Sequence, residues 1–132
     1  MYKNNKHMKK IKIKISNYCF DAIIYDTPTG EVIFNKLPLK GEAIKWGDEI
    51  YFYINLKIEL EKNAKEELEI GELGYWPVGP AFCIFFGKTP ISLNEKPRAY
   101  SHVNVFGKII DNNNIIKLKS IKNGDEISVE KA

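Results

Sequence analysis

The sequence of 132 residues has little of what most catalytic sites use. It contains two cysteines, two histidines, a single arginine and no glutamine. No apolar run approaches the roughly 20 residues that a membrane-spanning helix needs, so we predict neither such a helix nor a membrane partner. The first ten residues, MYKNNKHMKK, lack the apolar stretch of a secretory signal, so we expect a cytoplasmic protein.

The scarcity of histidine and cysteine argues against metal and nucleophile chemistry. His7 lies in the N-terminal segment, His102 stands alone, and neither has a zinc-type spacing to a cysteine. The glycines lack the spacing of phosphate-binding loops, and no serine lies in a GxSxG motif. Cys83 would become a nucleophile only if the fold brought His102 beside it. We therefore predict no metal, no cofactor and no catalytic residue.

The two cysteines, Cys19 and Cys83, both lie in apolar segments of alternating pattern. Such positions are typical of buried free thiols in a reducing compartment. A Cys19–Cys83 disulfide is the alternative, since some intracellular proteins of hyperthermophiles are oxidised.

Charge is concentrated at one end of the chain. The net charge is +3, and six lysines fall within the first fourteen residues. We predict that residues 1–9 form a flexible basic tail and that residues 10–132 form a single domain. Nucleic-acid binding needs a basic face with stacking aromatics, and only the basic tail is present, so we expect no nucleic-acid partner.

Alternation of apolar and polar residues predicts a mainly β protein. Lys9 to Ser16, KKIKIKIS, is the clearest half-buried strand. Three glycine-containing turns, at Gly47, Gly71 and Gly124, precede apolar residues and are typical of strand entrances. Many short strands at regular spacing favour an antiparallel barrel. The further predicted strands cover residues 19–25, 49–56, 80–86, 102–110, 115–121 and 126–130.

The segment from Asp26 to Pro38, DTPTGEVIFNKLP, has two interpretations. Thr27 followed by Pro28 is a good helix start, with a hydroxyl cap and a proline in the first turn. Thr29-Gly30 could instead turn a hairpin between residues of high strand propensity. The pattern alone favours the helix only slightly.

The strand from Pro80 to Phe86 is apolar on both faces. Phe82, Ile84 and Phe86 share one face, whereas Cys83 and Phe85 share the other. One face is expected to fill the core. The other needs a cover, which is either another part of the chain or a ligand in a groove.

A candidate groove follows from the aromatic residues near this strand and the single arginine. Arg98 follows a proline, in a predicted loop, and its planar guanidinium could bind a carboxylate or a peptide carbonyl. The expected occupant is a short peptide segment or a small molecule. A second subunit could cover the face instead, so we expect a monomer or a homodimer. The predicted groove residues are Tyr75, Trp76, Phe82, Phe85, Arg98 and Tyr100.

Four segments form a recognisable set: DTPTGEVIFNKLPLKGEA (26–43), WGDEIYF (46–52), GELGYWPVGPAFCIFFGKTP (71–90) and VNVFGKI (103–109). In these segments, the chain resembles a small archaeal and bacterial cyclophilin-like family of unestablished function. The resemblance implies a closed eight-stranded barrel with one or two short helices. It also favours a helix at about residues 28–37.

The same resemblance bears on prolyl isomerase activity. Residues 105–109, VFGKI, are similar to a strand of true cyclophilins. Their catalytic stretch, FHRxIxxFMxQGGD, has no counterpart, because the matching WGDEIYFYINLKIEL contains no Arg, His or Gln. We therefore expect a binding module. The alternatives are a weak peptidyl-prolyl isomerase and a structural protein that binds a partner or dimerises.

Overall fold

The computed structural model describes residues 8–132, which form a mainly β protein with two short helices. The helices are α1 (Pro28–Asn35) and a 3-10 helix (Asn112–Ser120). The strands are β1 (Lys9–Ile15), β2 (Tyr18–Ile24), β3 (Leu39–Glu42), β4 (Ile44–Trp46), β5 (Glu49–Tyr53), β6 (Lys65–Glu67), β7 (Glu72–Trp76), β8 (Ala81–Phe85), β9 (Arg98–Ile109) and β10 (Glu126–Lys131).

The prediction of a closed eight-stranded barrel is wrong. The strands form one ten-stranded antiparallel sheet in the order β3-β10-β1-β2-β9-β7-β8-β5-β4, with β6 paired to β9 beside this path. The path ends at β3 and β4, and within residues 8–132 no ladder joins these two strands. The sheet is therefore open.

Ala43 lies at the point where the two ends of the sheet path meet in the chain. This residue separates β3 from β4, and its backbone groups bond to a turn rather than to a strand. Its N–H donates to the carbonyl oxygen of Asp125 at 2.8 Å, and its own carbonyl oxygen accepts from the N–H of Gly124 at 2.8 Å. The N–H of Lys45 donates to Asn123 Oδ1 at 2.7 Å. Ala43 and Lys45 are thus bonded to the turn at residues 123–125, and the single residue between β3 and β4 is too short a connection for these two strands to pair with each other.

The lysine-rich strand is confirmed, and it shows how sequence pattern becomes packing. Ile11, Ile13 and Ile15 of β1 are fully buried, while the alternate lysines point outward. Lys12 lies 2.8 Å from Asp21 on β2. Lys9, which was predicted to belong to the flexible tail of residues 1–9, is the first residue of β1. Residues 1–7 of the predicted tail lie outside the described residues.

The helix predicted after Asp26 is confirmed, although it ends at Asn35 rather than at Leu37. Thr27 is the N-cap, and its hydroxyl accepts from the N–H of Gly30 at 3.0 Å. Pro28 fits the first turn because its missing N–H would have no helical partner.

The strand predicted over residues 115–121 is wrong, because this segment lies mostly in the 3-10 helix. Ile115, Leu118 and Ile121 contact the core, while Ile116 is exposed. Their spacing of three residues matches the three residues per turn of a 3-10 helix. Apolar residues two apart suggested a strand, but the buried positions are three apart.

Strand β8 separates two groups of buried apolar side chains, as its two-faced pattern predicts. Phe82 and Ile84 face the larger core, whereas Cys83 and Phe85 face a second cluster. The cover of this second face is protein: the first half of β9 leaves β7, pairs with β6 and folds over β8. At Gly74 a Cβ would lie 2.9 Å from Val103, so the close approach of β9 requires glycine there.

The predicted burial of both thiols is only half right. Both cysteines are free, which rules out the disulfide alternative in this structure. Cys83 is fully buried, whereas Cys19 lies exposed on the outward face of β2 opposite Lys14.

Residues 54–64 form a long connection held in place by buried polar groups. The hydroxyl of Tyr75 donates to the carbonyl oxygen of Leu56 at 2.7 Å and accepts from the N–H of Ile58 at 3.0 Å. Thr29, at the start of α1, donates through its N–H at 3.0 Å and through its hydroxyl to the carboxylate of Glu61. The connection is thereby tied to both β7 and α1.

Substitution Glu61→Ala is expected to lower the free energy of unfolding by about 1–3 kcal/mol, because it removes the acceptor of two donors on the fully buried Thr29. Urea denaturation measures the change. Glu59→Ala is the matched control, since the side chain of Glu59 is exposed and only its backbone carbonyl bonds to Asn104. An equal loss in both variants would contradict the role given to the carboxylate.

Candidate functional site: an exposed aromatic surface

Five aromatic side chains form a continuous patch on the outer face of the sheet, which we call the aromatic surface. Its members are Trp46 on β4, Tyr51 and Tyr53 on β5, Trp76 on β7 and Tyr100 on β9. The ring centroids of Tyr51 and Tyr53 lie 5.9 Å apart. Those of Tyr51–Trp76, Trp76–Tyr100 and Trp46–Tyr100 each lie 6.2 Å apart. Each ring therefore touches the next.

Strand alternation places these rings on one side of the sheet. On β5, Tyr51 and Tyr53 point outward because the residue between them, Phe52, is fully buried in the larger core. On β7, Trp76 points outward in the same way beside the buried Tyr75. The site is thus the solvent side of strands whose other side builds the core.

The aromatic surface is partly held and partly open to solvent. The indole N–H of Trp76 donates to Ser101 Oγ at 2.7 Å, which fixes this ring against β9. Tyr100 is 71% exposed and Tyr53 is 56% exposed, while the other three rings are half-buried. Contiguous exposed aromatics around half-buried tryptophans are typical of binding surfaces.

The structure brings only part of the predicted groove together. Trp76 and Tyr100 meet in the aromatic surface, and Arg98 precedes Tyr100 by two residues on β9. Tyr75 and Phe82 face the larger core on the opposite side of the sheet. Phe85 shares the outer side, but it is fully buried beneath β9.

Sequence reasoning missed Trp46, Tyr51 and Tyr53. The signal for the two tyrosines was present in the alternation of EIYFY, in which both fall on one face. Trp46 precedes a glycine turn and was read only as part of a strand entrance. Its place beside Tyr100 depends on β9 folding over the sheet, which local pattern does not specify.

Arg98 lies in a strand, not in the predicted loop. It is the first residue of β9, and its Nη2 donates to Glu66 Oε1 at 2.8 Å. The other oxygen of Glu66 lies 3.0 Å from His102 Nδ1. Arg98, Tyr100 and His102 are two residues apart along β9, so their side chains lie on the same face of this strand. The polar cluster of Arg98, His102 and Glu66 therefore borders the aromatic surface on one side.

A buried carboxyl group lies beside these rings. Glu49 on β5 is only 6% exposed, and it is the cross-strand partner of Trp46 and the same-face neighbour of Tyr51. Burial raises the pKa of Glu49 to about 7, and a hydrogen bond from Cys83 opposes this shift. Burial, followed by the nearby Glu49 charge, raises the pKa of Cys83 well above its ordinary value. The thiol is therefore neutral and is a poor nucleophile.

Other features of the described chain add little chemistry. A concavity of about 440 Å³ borders the aromatic surface at Tyr53 and is otherwise lined by the β3–β4 junction and residues 123–124. Among residues 8–132, no group of three or more His, Cys, Asp or Glu side chains is placed to hold a metal ion. In the same part of the chain, no helix is long and apolar enough to cross a membrane.

Comparison with known proteins identifies the family. The family model described as Cyclophilin-like matches residues 9–130. The chain belongs to the cyclophilin-like family. The solution structure of the hypothetical protein AF2241 from Archaeoglobus fulgidus is similar, with 38% sequence identity over 96% of each chain and a TM-score of 0.78. No curated protein matches this cyclophilin-like chain.

Glu49 should make the stability of the protein depend on pH. Its pKa rises from 4.5 to about 7 on folding, so the folded state binds the proton more tightly. The resulting stability is complete below about pH 4.5 and is lost as the pH rises through about 7. The loss should be on the order of 3 kcal/mol, and it should be absent in Glu49→Gln.

Urea denaturation from about pH 4.5 to about pH 8 tests this prediction. Glu95→Gln is the control, because the side chain of Glu95 is almost fully exposed and the variant should keep the wild-type profile. Parallel pH profiles for the wild type and Glu49→Gln would contradict the assignment.

Proposed function

We propose that the protein is a binding module whose aromatic surface takes a short peptide segment or a small organic molecule. The observation that carries this proposal is the continuous contact of five rings on the outside of the sheet. Tyrosine and tryptophan offer a large contact area at a low cost in side-chain entropy. Their ring faces and edges fit apolar and planar groups, including extended peptides.

The polar groups around the rings would fix the orientation of a bound ligand. Arg98 and His102 are both held by Glu66 at one border, and the hydroxyl groups of the exposed tyrosines offer further hydrogen bonds. The concavity beside Tyr53 extends the surface at its other end. A ligand of a few residues or of comparable size would span these features.

A prolyl isomerase has less support. It would need an apolar pocket for the proline ring beside a guanidinium group available to the amide. Phe82 is fully buried, and Nη2 of Arg98 is bonded to Glu66. We therefore propose binding without catalysis.

A second subunit is not needed to cover the outer face of β8, because Phe85 on this face is covered by β9 of the same chain. The aromatic surface itself could still be the contact between two copies. Sedimentation at micromolar concentration distinguishes this arrangement, since a monomer leaves the aromatic surface available to another ligand.

Substitutions in the aromatic surface should weaken ligand binding without unfolding the protein. Trp76→Ala and Tyr100→Ala are each expected to raise the Kd of any ligand found in a thermal-shift screen by about tenfold or more, because large aromatic anchors dominate such interfaces. Trp46 and Trp76 are the only tryptophans in the chain, so changes in tryptophan emission report directly on this surface.

Ile116→Ala is the matched control, because Ile116 is an exposed apolar side chain on the 3-10 helix. This variant should bind as the wild type does. If Trp76→Ala and Tyr100→Ala also keep the wild-type Kd, the ligand binds elsewhere and the proposed site is wrong.

A further inference from the structure

Glu49 has no cationic partner among residues 8–132, although basic side chains lie on the neighbouring segments. Lys88 lies 3.7 Å from Glu95, and Arg98 lies 2.8 Å from Glu66. Lys119 Nζ lies 2.8 Å from Oδ2 of Asp48, the residue that precedes Glu49 in the sequence. Lys45 Nζ donates a hydrogen bond to the carbonyl oxygen of Lys119. These bases are engaged elsewhere, so the Glu49 charge is left uncompensated within the described chain.

The other titratable groups facing Glu49 are not cations. Cys83 on β8 is a neutral thiol, and Tyr51 on β5 is a phenol. Burial first, and then the neighbouring Tyr53 and Glu49, raise the pKa of Tyr51. The negative charge of Glu49 therefore acts on the hydroxyl group of Tyr51, which belongs to the aromatic surface. An ionised carboxylate in this apolar setting is costly unless a positive charge approaches it.

The rings beside Glu49 pack edge to face. The angles between successive ring planes along Trp46, Tyr100, Trp76 and Tyr51 are 74°, 80° and 76°. In an edge-to-face contact the edge of one ring covers part of its neighbour's face, so a ligand reaches the parts that stay exposed, which are largest at Tyr100 and Tyr53. Cations are attracted to such faces, and tryptophan gives the strongest attraction.

We propose that the aromatic surface is selective for an organic cation, a quaternary or methylated ammonium group, whose charge is balanced by the carboxylate of Glu49. This inference rests on the proposed binding function and narrows its ligand class. A methylated ammonium group is apolar on its outside and positively charged, so it satisfies both the rings and the carboxylate. A neutral ligand would gain only the ring contacts, and an anion would be repelled.

The ligand chemistry has two possible sources, a free small amine and a methylated lysine in a peptide. Choline represents the first source. A short peptide containing trimethyllysine represents the second, with the unmethylated peptide beside it. The neutral isostere of choline, 3,3-dimethylbutan-1-ol, has the same shape without the charge, so it isolates the electrostatic contribution.

Tryptophan emission and calorimetric titration at about pH 6 and about pH 8 test the proposal. Choline or the trimethyllysine peptide should bind about tenfold more tightly at the higher pH, because the fraction of ionised Glu49 rises about tenfold between these conditions. The neutral alcohol should bind weakly and without this dependence on pH. In Glu49→Gln, cation binding should fall to the level of the alcohol, whereas Glu130→Gln on β10 should behave as the wild type does.

Cation binding that is equal to alcohol binding, or that is unchanged in Glu49→Gln, would overturn the cation selectivity. So would the absence of binding by choline and by the trimethyllysine peptide. In each of these cases the proposed binding function is judged separately, by whether Trp76→Ala weakens a ligand found in the wider screen. Circular dichroism of Glu49→Gln confirms that any loss of binding is not a loss of fold.

Discussion

The burial of β8 on both faces is the constraint on which the rest of the structure depends. A strand that is apolar on both sides needs two layers of protein, and a single curved sheet supplies only one. The long strand β9 resolves this by pairing with β7 and β2 in its second half and with β6 in its first half. The aromatic surface lies along the margin of this second layer, where the outer rings lack a further cover.

Much of the fold could be predicted because it is local. Alternation identified β1, whereas the cap at Thr27 favoured α1 only slightly and the family resemblance decided for the helix. The openness of the sheet could not be predicted, because it depends on which strands pair across long sequence separations, as β3 does with β10. The 3-10 helix was missed because apolar residues two apart in IIKLK fit a strand equally well.

The site was predicted less well than the fold, for a related reason. Trp76 and Tyr100 were recognised as aromatic residues near β8, but which face each residue occupies depends on the register of the strands. Glu49 was missed altogether, because it follows the glycine turn at Gly47 and looks like part of an ordinary strand entrance. In the folded sheet Glu49 lies between Trp46 of β4 and Phe85 of β8, and its burial is not visible in the local pattern.

Family membership does not by itself identify a ligand for this chain. The core strands and the close approach at Gly74 belong to the architecture that the cyclophilin-like family model covers. The aromatic surface and Glu49 fall within the same matched residues, but they lie on the side of the sheet that faces away from the larger core. The fold alone therefore does not specify the proposed ligand.

The position of β10 also bears on how the chain assembles. This last strand lies between β1 and β3, which both come from the first third of the sequence. Contacts between such distant segments carry a high entropic cost of loop closure and slow the search for the native topology. During synthesis on the ribosome, β1 and β3 therefore each keep an unpaired edge until β10 emerges, so segments that are distant in sequence complete this part of the sheet together.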